Sequence, residues 1–273
     1  MGVRGLLTYC NPIKRKVNTN VQNLRIGLDG FSLLFLFREE REIFEQYLRD
    51  MLAKVGHTDG ITLVMDKRAA KEKQEVVQGR KDQRKEAKAE ANNLSSFTQS
   101  PEFEELDEQQ RAILEKTLAQ KQRAAWCLYP EYMKWFRSLL KSLEIPIQMA
   151  PEEADTVLAK GNYDVVVSSD SDLLILGVKR LWIPELKHKK VQHTEILHTQ
   201  FINFLGIQDE QLFELAYMAG CDVQPRSLMP IRMAISRLRF YGSIQAIHAK
   251  HPEMITSENM DEYARLRRDV WAY

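Results

Sequence analysis

Three aspartates stand where short apolar runs end: Asp29 closes LRIGLD, Asp66 closes ITLVMD, and Asp170 follows DVVVSS. Two acidic pairs lie beside them in type, Glu153 with Asp155 in APEEAD and Asp170 with Asp172 in SSDSD, and Asp222 ends MAGCD. Hard divalent cations such as Mg²⁺ take oxygen ligands, keep several waters and sit on a few carboxylates. Anions gathered closely raise one another's pKa or demand a counter-ion, so such a cluster points to metal. Two ions about 4 Å apart can activate a water and stabilise the leaving oxygen of a phosphodiester. That chemistry needs no nucleophilic side chain. The six histidines have no metal-ligand spacing, and there is no nucleophile elbow, Walker loop or dinucleotide fingerprint. Singly, an Asp after a strand is commonly a helix N-cap and a D-x-D pair a surface feature; only the joint pattern carries the inference.

To bring these residues together the chain must fold as an α/β sheet. Leu24 to Asp29 and Ile61 to Asp66 read as buried strands, and between them Ile43, Phe44, Tyr47, Leu48, Met51, Leu52 and Val55 recur at helical spacing. Strand, helix, strand predicts a parallel sheet. The pattern resumes with a helix over Tyr132 to Leu143, a strand Ile145 to Met149, a helix opening at Pro151 and a strand Asp164 to Ser169. Ligands of such sheets bind outside the carboxyl ends of the strands, where Asp29, Asp66 and Asp170 would face one crevice. A last helix is expected over Glu210 to Ala219.

With 273 residues, 44% hydrophobic and 28% charged, the chain can bury a large core, and its apolar runs are too short to span a bilayer. No signal peptide is evident, and three widely spaced cysteines fit a reducing compartment, so an intracellular protein is expected. A net charge of +1 gives no global basic field, and any nucleic-acid partner must be read from local patches. One such patch opens the charged interruption 67–125, which reads as two charged helices around a tip. Another runs from Val223 to Pro252, where there is no Asp or Glu but Arg226, Arg232, Arg237 and Arg239 are present. A basic face there would grip phosphates without reading bases, although a solvated surface helix has the same pattern.

Taken in order, MGVRGL, LDGFSLLF, VMDKR, APEEAD, SSDSDLLILG and MAGCD resemble the flap endonuclease and XPG family of structure-specific 5′ nucleases, over about Met1 to Asp222. The resemblance implies a PIN-like (Rossmann-like), mostly parallel sheet flanked by helices, with a nuclease core 1–222, a helical gateway or arch at about 67–125 and a helix-hairpin-helix-like DNA-binding region at 223–273. It implies two Mg²⁺ ions, with Mn²⁺ able to substitute: Asp29, Asp66, Glu153 and Asp155 around one, and Asp170, Asp172 and Asp222 around the other. Phe35 falls where the family stacks an aromatic near the scissile nucleotide, though an apolar core role fits it equally. Lys73 and Arg80 fall in the register of the basic gateway pair that engages the scissile phosphate, and Arg84 is expected to bind nucleic acid. The implied activity is cleavage of DNA at 5′ flaps or branch junctions, with 5′–3′ exonuclease action, in replication, repair or recombination; action on RNA, or a silent scaffold that binds nucleic acid, are the alternatives. The implied partner is branched or 5′-flapped duplex DNA, bound by a monomer with no membrane association, in the nucleus or at a viral replication site. The sequence departs from the family after Asp222, where Ser227-Leu228-Met229-Pro230 replaces a glycine-rich hairpin that grips duplex phosphates and a potassium ion, and no sliding-clamp-binding tail follows.

Overall fold

The computed structural model describes residues 2–17, 22–38, 40–57, 60–67, 74–151 and 153–269. The chain divides into two compact units, Met1–Ala70 with Leu139–Tyr273, and Lys71–Ser138. Among the described residues no helix is long and apolar enough to cross a membrane.

The first unit is built on a sheet whose strands are β1 (Arg15–Lys16), β2 (Ile26–Asp29), β3 (Ile61–Asp66), β4 (Ile147–Ala150), β5 (Val165–Val167), β6 (Arg180–Lys187) and β7 (Lys190–Leu197). Their order is β1-β7-β6-β5-β2-β3-β4. The run from β6 to β4 is parallel, and β7 and β1 join antiparallel at one edge. The chain moves outward from β2 to β3 and β4, then returns to place β5 on the other side of β2. The junction of β2 and β5 is therefore a topological switch point, the place where such sheets open a crevice for ligands. The central strands β2, β3 and β5 are largely apolar and buried, as expected of parallel strands covered on both faces, whereas the edge strands β1 and β4 are largely exposed and β7 is mostly half-buried.

The helices of the two units are, in chain order, α1 (Leu6–Tyr9), α2 (Gly30–Phe37) and α3 (Arg41–Val55), then α4 (Gln74–Phe97), α5 (Pro101–Glu104) and α6 (Glu108–Ala125), then α7 (Pro130–Ser142) and α8 (Ala154–Lys160). After them come α9 (Asp172–Ile175), α10 (His198–Leu205), α11 (Leu212–Ala219), α12 (Ile231–Tyr241), α13 (Ile244–Lys250) and α14 (Ser257–Asp269). In α3 the spacing of Phe44, Tyr47, Leu48, Met51 and Val55 puts one apolar face inward, and Gly56 ends the helix in the left-handed region. Gly27 in β2 has no room for a β-carbon, which would meet the side chains of Leu158 in α8 and Tyr163. That missing carbon lets α8 lie close on the strand that carries Asp29.

The α/β sheet agrees with the sequence reading, and the differences have local causes. The hairpin β6–β7 and the edge strand β1 had no turn signal to announce them: the two turn residues, His188 and Lys189, have φ of 49° and 59°. Tight hairpin turns of that hand ordinarily use Asn-Gly or Asp-Gly. Strand β5 stops at Val167, so Asp170 belongs to the following turn, and α8 begins at Ala154 rather than Pro151.

In the second unit α4 and α6 pack as a hairpin, tied by an ion pair between Lys121 and Glu90. Asp107 starts α6 with a capping box, its side chain accepting the Gln110 N–H. Ala87 and Ala91 are buried in α4, and their small size suits close helix packing.

Candidate metal centre

Each site carboxylate is positioned by the end of an element. Asp29 is the last residue of β2 and the N-cap of α2: Oδ1 accepts the Ser32 N–H at 3.0 Å. Its other oxygen accepts the Ser168 hydroxyl at 2.6 Å. Ser168 Oγ in turn accepts the Asp170 N–H at 3.0 Å, and Asp170 Oδ1 accepts the Asp172 N–H at 3.0 Å. A continuous run of hydrogen bonds thus joins the ends of β2 and β5. Ser32 and Ser169 close it from the side, with their hydroxyl oxygens 2.8 Å apart.

Asp170, Asp172 and Asp222 each offer a carboxylate oxygen, and these oxygens lie within 4.8 Å of one another. All three residues are partly exposed. Gly2 lies against this group with φ of +79°, and a β-carbon there would overlap the Asp170 carboxylate and the Ser171 hydroxyl. The open face, the hard oxygen donors and the spacing fit a divalent cation of the Mg²⁺ or Mn²⁺ type. Asp66, at the end of β3, accepts the Ala154 N–H at 2.5 Å. That bond holds the start of α8, with Glu153 as its N-cap residue and Asp155 in its first turn.

Among the described residues no second group of ligand oxygens is drawn together. Asp29, Asp66, Glu153 and Asp155, the expected second set, do not form such a group among the described residues. Both Asp29 oxygens and one of Asp66 accept protein hydrogen bonds. Asp29 is only 6% exposed. Burial pushes its carboxyl up to about 6; the bonds from Ser168 and Ser32 oppose that rise, and the charges of Asp170 and Asp66 add to it. Burial also pushes the Cys221 thiol up to about 12, helped by Asp172, so it is a packed core group.

Phe35 is half-buried on α2. Arg80 and Arg84 are half-buried in the second unit, at helical spacing with Ala87 and Ala91, whereas Lys81, Lys85 and Lys88 are exposed. Lys73 lies outside the described residues. Arg226 and Arg232 are exposed, and Arg237 lies 5.8 Å from the centre of the Tyr241 ring. Arg239 is engaged within the protein: its guanidinium donates to the carbonyls of Leu205 at 2.5 Å and Phe204 at 2.8 Å. It caps the C-terminal end of α10, where a cation also meets the negative end of the helix dipole. Sequence reasoning missed Ser32 and Ser168, although both stand inside the motifs LDGFS and SSDSD.

The family model for the XPG I-region matches residues 144–222, the span from β4 to Asp222. Over those residues the chain is similar to the XPG I-region. Within 144–222 that match bears out the resemblance read from APEEAD, SSDSDLLILG and MAGCD, and the matched span includes Glu153, Asp155, Asp170, Asp172 and Asp222. In fold the chain is similar to the catalytic core of Rad2, with 17% identity and a TM-score of 0.61 over 99% of this chain and 80% of that one. It is similar to flap endonuclease-1 from Methanococcus jannaschii, with 18% identity and a TM-score of 0.55 over 93% and 81% of the two chains. Human GEN1 in complex with Holliday junction DNA gives 15% identity and a TM-score of 0.53 over 97% and 61%. At these identities the likeness is one of fold alone: a PIN-like α/β sheet flanked by helices. A comparison with the curated proteins by sequence found no match.

Proposed function

We propose that the chain is a divalent-metal-dependent nuclease that hydrolyses DNA phosphodiester bonds at 5′ flaps or branch junctions. The observation that carries the proposal is the convergence of Asp170, Asp172 and Asp222 at the switch point of the sheet. The I-region match supports it, as does the likeness in fold to Rad2, which has been described with a DNA substrate, at a TM-score of 0.62.

In this reading Asp170, Asp172 and Asp222 hold one Mg²⁺, and Asp29, Asp66, Glu153 and Asp155 serve a second. Bound divalent cations supply the charge neutralisation and Lewis acidity that phosphodiester hydrolysis requires. The protein's own part is to fix the oxygens. The Ser168 hydroxyl and the Ser32 N–H hold Asp29, Ser168 Oγ and the Asp172 N–H hold Asp170, and Asp66 holds the start of α8 through Ala154. Phe35 offers an aromatic surface for a base. Lys73, Arg80 and Arg84 would meet the scissile phosphate and its developing charge, and Arg226, Arg232 and Arg237 would grip duplex phosphates.

The test is incubation with a labelled 5′-flap duplex, and with its RNA counterpart, in Mg²⁺. Cleavage of the DNA flap is expected, with loss in EDTA and a fall of at least about 100-fold in Asp172→Ala, since even groups that only support a metal ligand are worth about 10–100-fold. Cleavage that survives both would refute the mechanism.

A further inference from the structure

The turn that carries Asp222 is held from another part of the chain. After α11 the backbone turns at Gly220, with φ of +86°, and the Cys221 N–H donates to the Gln224 carbonyl at 2.8 Å. Asp222 therefore sits inside a closed turn. Gln224 is 4% exposed, and its side-chain amide donates to Glu262 Oε2 at 2.6 Å. Its side-chain oxygen accepts the Arg226 N–H at 3.3 Å. The same Glu262 oxygen lies 2.9 Å from the Tyr217 hydroxyl, which also faces the Asn259 carbonyl at 2.7 Å. Tyr217 belongs to the helix that leads into the turn, and Gln224 to the loop that leads out. One carboxylate on α14 thus fastens both sides of Asp222. A buried amide that loses its partner carries the full cost of desolvation, so the turn cannot shift freely.

We infer that Gln224 and Glu262 are positioning residues for Asp222, so that α14 governs how tightly the Asp170, Asp172 and Asp222 cluster holds a divalent cation. The inference rests on the proposed metal-binding reading of that cluster. Supports of this kind act by fixing where a ligand oxygen points, and their loss lowers metal affinity by about 10–100-fold.

Calorimetric titration of the full chain with Mn²⁺ tests it, alongside thermal melting and cleavage measured against Mn²⁺ concentration. Glu262→Ala and Gln224→Met are expected to weaken Mn²⁺ binding by about tenfold or more. Their cleavage rate at saturating Mn²⁺ should return close to that of the wild type. Glu262→Gln keeps an oxygen that accepts from Gln224 and should stay within about threefold of the wild type. If both disruptive variants melt lower yet bind Mn²⁺ as the wild type does, the link is merely structural and the inference is overturned. Should Glu262→Ala not fold, Gln224→Met decides alone. Absence of Mn²⁺ binding in the wild type would instead sink the metal-binding reading itself.

Discussion

At the scale of single residues, the site's carboxylates are in unequal states. Asp170, Asp172 and Asp222 already present oxygens to one another, with one Asp170 oxygen also accepting the Asp172 N–H, whereas both oxygens of Asp29 and one of Asp66 accept bonds from Ser32, Ser168 and Ala154. A second ion that used those oxygens would have to displace or share hydrogen bonds costing about 1 kcal/mol or more each. Two classes of Mn²⁺ site, with dissociation constants at least about fivefold apart, are therefore expected in calorimetry. A single class of two equal sites would contradict this. His193 gives a second residue-scale prediction. It lies between Tyr47, whose hydroxyl is 3.0 Å away, and the ring of Trp182. Burial, and secondarily the positive Lys54, push its pKa from 6.5 down to about 4. The unfolded chain accepts a proton below pH 6.5 that the folded chain refuses until about pH 4. Stability that depends on neutral His193 is thus complete above that window and is lost as pH falls through it. Urea unfolding at pH 7.5 and 4.5 should show the wild type losing roughly 2 to 3 kcal/mol more than His193→Gln. Asp29, with its raised pKa, has the opposite trend, and comparing the two proteins cancels it. Equal losses in the two would refute the account.

At the scale of elements, the β6–β7 hairpin pays a local cost at its turn. Two non-glycine residues with positive φ are strained, by about 1–2 kcal/mol each. Replacing His188 and Lys189 with Asn and Gly should raise the melting temperature by a few degrees, about 1 kcal/mol, and leave metal affinity unchanged. A lower melting temperature would show that the two side chains contribute contacts that outweigh the strain. The same turn marks where the sequence stops being legible. Strands β2 and β3 were plain because an apolar run, a terminal Asp and an intervening amphipathic helix agree with one another. The hairpin has neither a clear alternation nor the usual turn residues, so nothing local separated it from loop. The site divides in the same way. Asp29, Asp66 and Asp170 were readable because a strand end dictates where they stand. The serine bridge from Asp29 to Asp170 was not, since it depends on β5 lying next to β2, a fact of topology. Arg239 shows the converse: a run of like charges has no way to tell which member is needed by the C-terminal end of a neighbouring helix.

At the scale of the whole molecule, a net charge of +1 means that binding to a polyanion has to come from patches. Affinity for a duplex should fall with salt, with a logarithmic slope of about 0.9 for each phosphate neutralised. The double variant Arg226→Gln with Arg232→Gln should reduce that slope by about 1 to 2, whereas Arg239→Gln should lower stability and leave the slope alone. Filter binding across a series of KCl concentrations would check both, and a slope unchanged in the double variant would remove these arginines from the interface. The three cysteines, finally, are distributed in a way that favours optical experiments. Cys10 and Cys221 are buried and their thiols are both pushed up to about 12, while Cys127 in the second unit is exposed. A maleimide dye at neutral pH should therefore label the natural chain at Cys127 alone. That supplies a fluorescent reporter on the helical unit without engineering, against which a dye on the nucleic acid can serve as a ruler.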